Sequence, residues 1–502
     1  MKLSLVALAT ALSSAAASPP SYLPFHIPDE MLAQLQAAAD PSLTTAKPRT
    51  LTEEQLAFQQ AMEQQSGDSP VLGFLDDDCG KQTNCGDCTG TKSHFGNNCR
   101  WCPQMASNQC YSYGSSSNPC SDEEQQTKPD QCAPLATSRK PVVFLPGLTG
   151  SKLDAKTENY KGPSFLCSKN SDWFNIWVSV SQLLPSIYKC TTDEWSLNYN
   201  AEDESVSQNP GTSIQYHGGE KSYGASVDAM LGWDMMTHAL QAKGYKLGED
   251  LWSAPFDFRM GVKQFMKDDY PKLKALVEQA YDTAGGTPVV FMSISYGGPF
   301  GNAFLTDFVD EAWKAKYIDS WISMSGVFNG APMVVHTLLS GMEMYGVPWL
   351  DIDTVRDSLR GWPAMSWLVP SLIEGEEDRV IYYTDDKNYT LSEVANLLED
   401  GGATAAADMK RKQEIIANED PGVKVHCWFT KDIDTETSFA AHACADDPEL
   451  ITGPGDGTGD LHSLDRCESW ADVEVVNYEG LAHSAYMSDE TVTKAAVDLV
   501  CQ

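Results

Sequence analysis

Hydrophobic and polar positions are patterned differently on the two sides of residue 140. From Lys140 onward, short apolar runs alternate with segments of helical spacing. Lys140–Leu145 (KPVVFL) is an apolar run stopped by Pro146-Gly147, which suits a strand buried on both faces. Ser226–Lys243 carries apolar residues at helical spacing and stops at Gly244. Thr287–Ile294 is a second run, rich in β-branched residues, followed by a glycine turn and a helical segment at Gly301–Lys316. Ile318–Met324, Val423–Phe429 and Val473–Tyr478 predict further strands. This alternation predicts an α/β fold, a parallel sheet with helices on both faces.

The residues before Lys140 lack that alternation. Met1-Lys2 is a basic start, Leu3 to Leu12 is apolar, and Ala15-Ala16-Ala17 offers a small-residue cleavage site. Residues 1–18 therefore read as a secretory signal peptide. A Pro-, Ala- and Gln-rich stretch at 19–78 reads as a linker or pro-segment, with one helix predicted at Thr52–Gln65. Residues 79–132 hold eight of the fourteen cysteines among Gly, Ser and Asn. Such a segment cannot build a core of its own and depends on covalent staples. Its spacing, Cys79, Cys85-x-x-Cys88, Cys99-x-x-Cys102, Cys110, Cys120 and Cys132, resembles the plexin–semaphorin–integrin (PSI) domain. The resemblance implies the pairs Cys79–Cys99, Cys85–Cys132, Cys88–Cys110 and Cys102–Cys120. The two Cys-x-x-Cys steps also have zinc spacing, but an exported chain with an even cysteine count favours disulfides.

Composition narrows the function. The chain has 502 residues, 42% hydrophobic and 10% aromatic, enough for a sizeable core. Asp and Glu number 70 against 35 Lys and Arg, for a net charge of −35. A nucleic-acid partner is excluded, because phosphate binding needs a basic footprint. After the signal no run approaches the roughly 20 apolar residues of a membrane span. Asn388-Tyr389-Thr390 is a glycosylation sequon compatible with export. The expected location is outside the cell or in the lumen of an acidic vesicle such as a lysosome or vacuole.

The chemistry centres on Ser293-Ile294-Ser295-Tyr296-Gly297, where an apolar run enters a small-residue turn and leaves as a helix. That is the setting of a G-x-S-x-G nucleophile elbow, with serine in place of the first glycine and Ser295 at the nucleophile position. A serine hydroxyl needs a base oriented by a carboxylate, in the chain order Ser, Asp or Glu, His for an α/β-hydrolase. Asp456, in Gly455-Asp456-Gly457-Thr458-Gly459-Asp460, and His483, after the last predicted strand, satisfy that order. Asp460 is the alternative acid; His442 and His462 are the alternative bases. The Asp456 loop lacks the closing glutamate of an EF-hand, which discounts calcium. The backbone N–H groups of Leu148, after the first strand, and Tyr296 are candidate oxyanion donors.

Several blocks in order resemble the lecithin:cholesterol acyltransferase-like enzymes, a family that includes lysosomal phospholipase A2. They are Leu145-Pro146-Gly147-Leu148-Thr149-Gly150-Ser151-Lys152-Leu153, Trp173-Phe174-Asn175-Ile176-Trp177, Gly248-Glu249-Asp250-Leu251, Ala254-Pro255-Phe256-Asp257-Phe258-Arg259, Trp313-Lys314-Ala315-Lys316-Tyr317-Ile318 and Asp456-Gly457-Thr458, with Ser463-Leu464 and Cys467. The resemblance covers residues 140–502. It implies an α/β-hydrolase fold with a lid and a membrane-binding insertion, preceded here by the small disulfide-rich domain. It assigns Ser295, Asp456 and His483 as the triad and Leu148 and Tyr296 as the oxyanion donors. It pairs Cys167 with Cys190 and Cys427 with Cys467, which leaves Cys444 and Cys501 as a further pair by elimination. The family's His-Ser-Met/Leu-Gly is Ile294-Ser295-Tyr296-Gly297 here, and its Gly-Ala-Pro-Trp-Gly-Gly is replaced by Ser325-Gly326-Val327-Phe328-Asn329-Gly330-Ala331-Pro332.

By the same resemblance the activity is a phospholipase A and lipid O-acyltransferase. A fatty acyl group moves from a glycerophospholipid through an acyl-serine to a sterol, another lipid alcohol or water, with no metal or organic cofactor. The expected partners are phospholipid membranes or lipoprotein-like surfaces, with the cysteine-rich module available for a protein contact. The loop closed by Cys167–Cys190 is the expected membrane element, through Trp173, Phe174, Ile176, Trp177, Leu183 and Leu184, since Trp favours the bilayer interface. The rival readings are a carboxylesterase for soluble esters and a non-catalytic binding protein.

Overall fold

The computed structural model describes residues 139–224, 226–341 and 350–502, together with residues 88, 99–101 and 110–112. The segment read as a signal peptide, the 19–78 stretch, the helix predicted at Thr52–Gln65 and most of the cysteine-rich module lie outside the described residues.

The chain divides into two compact units. The first holds residues 140–232 and 247–489 and is built on six parallel strands. They are β1 (Val142–Leu145), β2 (Leu251–Ser253), β3 (Val289–Ile294), β4 (Ile318–Met324), β5 (Val425–Thr430) and β6 (Val473–Tyr478), in spatial order β6-β5-β4-β3-β1-β2. Every residue of β1, β3 and β5 is buried. Their continuous apolar runs, rather than alternating ones, follow from helices covering both faces. The order reverses beside β1, so the strands' carboxyl ends form one edge where a site is expected in an open α/β sheet.

Two of the predicted strands are trimmed by two residues at the start, the one at Val423–Phe429 begins two residues later and ends one later, and two match their ranges. The helical region after β3 is α1 (Gly297–Ala303), a π-helical turn at Phe304–Phe308, and α2 (Glu311–Tyr317), whose N-cap Asp310 accepts the Trp313 backbone N–H at 2.8 Å. The predicted Ser226–Lys243 helix is shorter. Residues 227–229 form a 3-10 turn, and only Asp234–Ala242 is helical. The backbone between them is claimed by the loop after β1, through the Ser151–Met230 bridge and the Leu231 N–H donated to the Gly150 carbonyl at 2.8 Å.

Two features have weak sequence signals. A second sheet runs Asn388–Thr390, Val380–Tyr383, Ile433–Ala440, Glu449–Gly455. A three-stranded antiparallel sheet joins Leu153–Thr157 to Phe174–Trp177 and Thr212–Tyr216.

The second unit contains the described cysteine-rich residues, residues 233–246 and residues 490–502. Cys88 is bonded to Cys110, one of the pairs implied by the PSI resemblance, and Cys99 is also disulfide-bonded. Neither is therefore a free zinc ligand. Cys99–Trp101 and Cys110–Ser112 pair as an antiparallel ribbon.

Cys167–Cys190 and Cys427–Cys467 are disulfides, with Cα separations of 5.4 and 6.5 Å. The expected Cys444–Cys501 bond is corrected: both are free thiols. Cys444 is buried in the first unit, 3.3 Å from the Tyr389 hydroxyl, whereas Cys501 belongs to the second. Among the described residues no helix is long and apolar enough to cross a membrane.

Two buried carboxyls tune stability to acid. Burial, reinforced by Asp193, pushes Glu194 up to about 7. Burial also pushes Asp269 up to about 7, against the pull of Lys272. Each contribution to folding is complete below the unfolded carboxyl range and is lost as pH rises through about 7. His426, whose pKa is lowered by burial, works the other way. Thermal melting at about pH 5 should therefore exceed that at about pH 7.5, and Glu194→Gln should shrink the difference. A melting temperature that rises with pH across this window would refute the account.

Candidate active site

The elbow is held by the close approach of two backbones. Ser295 follows β3 with φ of +54°, a left-handed conformation that costs a non-glycine residue energy and persists only where surroundings enforce it. Its N–H donates to the Met324 carbonyl at 3.0 Å, and its own carbonyl accepts the Gly298 N–H at 2.8 Å. A Cβ at residue 297 would lie 2.4 Å from the Leu145 carbonyl oxygen, so only glycine fits there. A Cβ at residue 147 would come within 3.1 Å of the Ser295 Cβ. The Pro146-Gly147-Leu148 turn is therefore packed directly against the nucleophile position.

Residue 293 tolerates serine for a local reason. Its side chain is fully buried and its Oγ accepts the Trp321 indole N–H at 2.8 Å. Ser293 is thus committed to the core, and the half-buried Ser295 is the serine of the turn.

Asp456 and His483 are brought together. Asp456 Oδ2 lies 2.7 Å from His483 Nδ1, and Asp456 Oδ1 accepts the backbone N–H groups of Thr458 at 3.0 Å and Gly459 at 2.8 Å. The His483 N–H also donates to the Asp456 carbonyl at 2.9 Å. Both side chains are buried. The carboxylate thus fixes Nδ1 as the protonated ring nitrogen, which leaves Nε2 as the acceptor. His483 Nε2 is buried and has no hydrogen-bond partner among the described residues. Ser295, at the end of β3, and His483, just past β6, lie at the same carboxyl edge of the sheet.

The alternatives are engaged elsewhere. Asp460 is 2.7 Å from Arg379, His462 is 3.0 Å from Glu376, and the exposed His442 is 2.9 Å from Asp385. Burial raises the Asp460 pKa, and Arg379 opposes the rise. The Arg379–Asp460 pair pins the far end of the Asp456 loop, since Gly455 and Asp460 bridge across it. Asn329 braces the segment that follows. Its N–H donates to Ser463 Oγ at 3.1 Å and its Nδ2 to the His462 carbonyl at 2.8 Å. Neither Arg379 nor Asn329 stood out in the sequence, although Asn329 lies in the replaced Ser325–Pro332 block. Cys427–Cys467 adds a covalent tie from β5 to the turn after Ser463.

The oxyanion candidates occupy the two facing turns. Among the described residues, no carbonyl accepts the Leu148 or the Tyr296 backbone N–H. The Tyr296 side chain is buried and donates to the Met260 carbonyl at 2.7 Å.

The expected membrane element needs correction. Ile176, Trp177 and Leu183 are buried, and Phe174 and Leu184 are half-buried. Trp177 packs 5.7 Å from the Trp195 ring and 6.2 Å from Phe258, and its indole N–H donates to the Thr149 carbonyl at 2.8 Å. It ends a strand paired with Leu153–Thr157, so its face is set by sheet pairing rather than by a free loop. Trp173 is 44% exposed, and beside Cys167, outside the expected loop, stand Phe165 at 95% and Leu166 at 48%.

The family model for lecithin:cholesterol acyltransferase matches residues 173–416. The chain is 30% identical over 342 residues to the human lysosomal phospholipase A and acyltransferase, covering 66% of this chain and 82% of that protein. It is 27% identical over 402 residues to the Arabidopsis thaliana lecithin-cholesterol acyltransferase-like 1, covering 73% and 91%. It is 26% identical over 371 residues to the phosphatidylcholine-sterol acyltransferase of Gallus gallus, covering 70% and 88%.

A fluorophosphonate probe should label the native protein at Ser295, and Ser295→Ala should abolish labelling. Ser293→Ala should retain it while losing about 1–3 kcal/mol of stability, because the Trp321 N–H is left buried without an acceptor. Labelling of Ser295→Ala at the native level would overturn the assignment.

Proposed function

The chain belongs to the lecithin:cholesterol acyltransferase family, and from that premise we propose that it transfers a fatty acyl group from a glycerophospholipid through Ser295 to a lipid alcohol, a sterol among them, or to water. The observation that carries the reading is the buried Asp456–His483 pair, with its open Nε2, at the sheet edge that also holds the strained Ser295.

In this reading Ser295 Oγ attacks the ester carbonyl while His483 Nε2 takes its proton. Asp456 stabilises the imidazolium without being protonated. The Leu148 and Tyr296 N–H groups stabilise the tetrahedral oxyanion, and a pair of such donors is worth several kcal/mol in a water-poor site. His483 returns the proton to the departing lysophospholipid alcohol, leaving an acyl-serine. The acceptor hydroxyl then repeats the steps in reverse. Arg379 acts as a positioning residue for the Asp456 loop.

Docking falls to Phe165, Leu166 and Trp173 rather than to Trp177, because only exposed apolar side chains can enter a bilayer. The net charge of −35 offers no general attraction to anionic lipid. An exported chain whose Glu194 and Asp269 favour acid fits an acidic lumen.

Ser295→Ala should lower lysophospholipid release from liposomes on the order of 10⁴-fold with the fold preserved. Mass spectrometry of products from phospholipid–sterol liposomes should show acylated acceptor that depends on Ser295. Products that persist in the variant would sink the proposal. Phe165→Ser should weaken liposome turnover about tenfold to a hundredfold and spare a soluble short-chain ester. Trp177→Ser, which opens the core, should harm both substrates alike. Equal loss on both substrates for Phe165→Ser would place the docking surface elsewhere.

A further inference from the structure

Away from the triad, the first unit contains a cavity of about 280 Å³. Val206, Val262, Met266, Trp367, Met409 and Ile415 supply its apolar walls. The two methionines suit an occupant of variable shape, since an unbranched thioether repacks readily. Met266 stands on a π-helical turn, Phe265–Asp269, a rare local geometry that occurs often at functional sites.

Most polar groups of the walls are already engaged. The Tyr199 hydroxyl donates to Asp408 at 2.7 Å, Ser366 Oγ to the Ala406 carbonyl at 2.9 Å and the Trp367 indole to the Ile415 carbonyl at 3.0 Å. Gln413 accepts from Lys410 at 2.8 Å and donates to Ile415 at 3.0 Å. At the rim Lys263 pairs with Glu204, and Lys412 with Asp408. Glu414, also exposed there, has no ion pair among the described residues, so the lining offers an anionic ligand no unpaired cation.

We infer that this cavity binds the uncharged aliphatic chain of a lipid, at a site separate from Ser295. Apolar walls whose hydrogen-bonding capacity is largely spent select hydrocarbon, and the unpaired Glu414 carboxylate disfavours a fatty acid in its ionised form. The cavity reaches the elbow through two contacts. The Trp367 ring packs edge-on, 5.6 Å from the Tyr296 ring, and Tyr296 donates its hydroxyl to Met260, directly before the wall segment that begins at Gly261. An occupant pressing on Trp367 therefore bears on the residue next to the nucleophile.

The inference does not depend on the proposed reaction. Its test is photolabelling of the full chain with a ten-carbon alcohol carrying a diazirine, followed by peptide mapping. Adducts should fall in residues 262–267 and 409–415, and decanol should compete for them better than decanoate at neutral pH. Labelling should persist after Ser295 is blocked by a fluorophosphonate. Ile415→Trp and Met409→Trp, each of which fills the cavity, should reduce it about tenfold or more, the loss expected for about 1.4 kcal/mol of binding. A variant that melts at the native temperature yet labels as strongly as the native protein overturns the site. So does labelling that disappears when Ser295 is blocked, since the chain then occupies the acyl site, or competition by decanoate equal to that by decanol.

Discussion

The site depends on how closely the turn after β1 lies against the turn after β3. With a Cβ excluded at residue 297 by the Leu145 carbonyl, the two backbones touch directly. Ser295 can then sit at a positive φ with its neighbours' hydrogen bonds intact. The same contact places the Leu148 and Tyr296 N–H groups on facing turns. A parallel sheet makes this possible, because adjacent β1 and β3 end at one edge with their loops side by side.

The opposite half of the site is held from outside the sheet. Asp456 is dictated by its loop: two backbone N–H groups occupy one oxygen, and the other is left for His483. The loop in turn is anchored by Arg379 at Asp460 and continues into a turn braced by Asn329. These directed hydrogen bonds offset the desolvation of a buried carboxyl group.

Much of this was readable from the residues, and the exceptions have physical causes. Buried parallel strands announce themselves as continuous apolar runs, so β1 and β3 to β5 were legible, while the exposed edge strand β6 showed through its β-branched valines and the three-residue β2 did not show at all. Ser295 stood out through its turn chemistry, and Asp456 and His483 through chain order. Trp177 was misjudged because apolar content cannot tell a bilayer-facing ring from one wedged between Trp195 and Phe258. The second sheet escaped because its strands are short or mixed in character, as in Glu449–Gly455. Cys444 was paired by arithmetic, which knows nothing of the hydroxyl of Tyr389 beside it. Arg379 was invisible because an ion pair joining residues 81 positions apart has no local signature.

The Cys427–Cys467 bond has a bearing on the life history of the molecule. It joins β5 to the turn that follows the Asp456 loop, across 40 residues that include that loop. Among the described residues it is the covalent link nearest the acid–base pair. A newly made chain in a reducing environment lacks it, and the loop that orients the imidazole then hangs on hydrogen bonds and one ion pair alone. Orientation of the acid–base pair is therefore tied to the redox state of the surroundings, through a bond that neither Asp456 nor His483 makes.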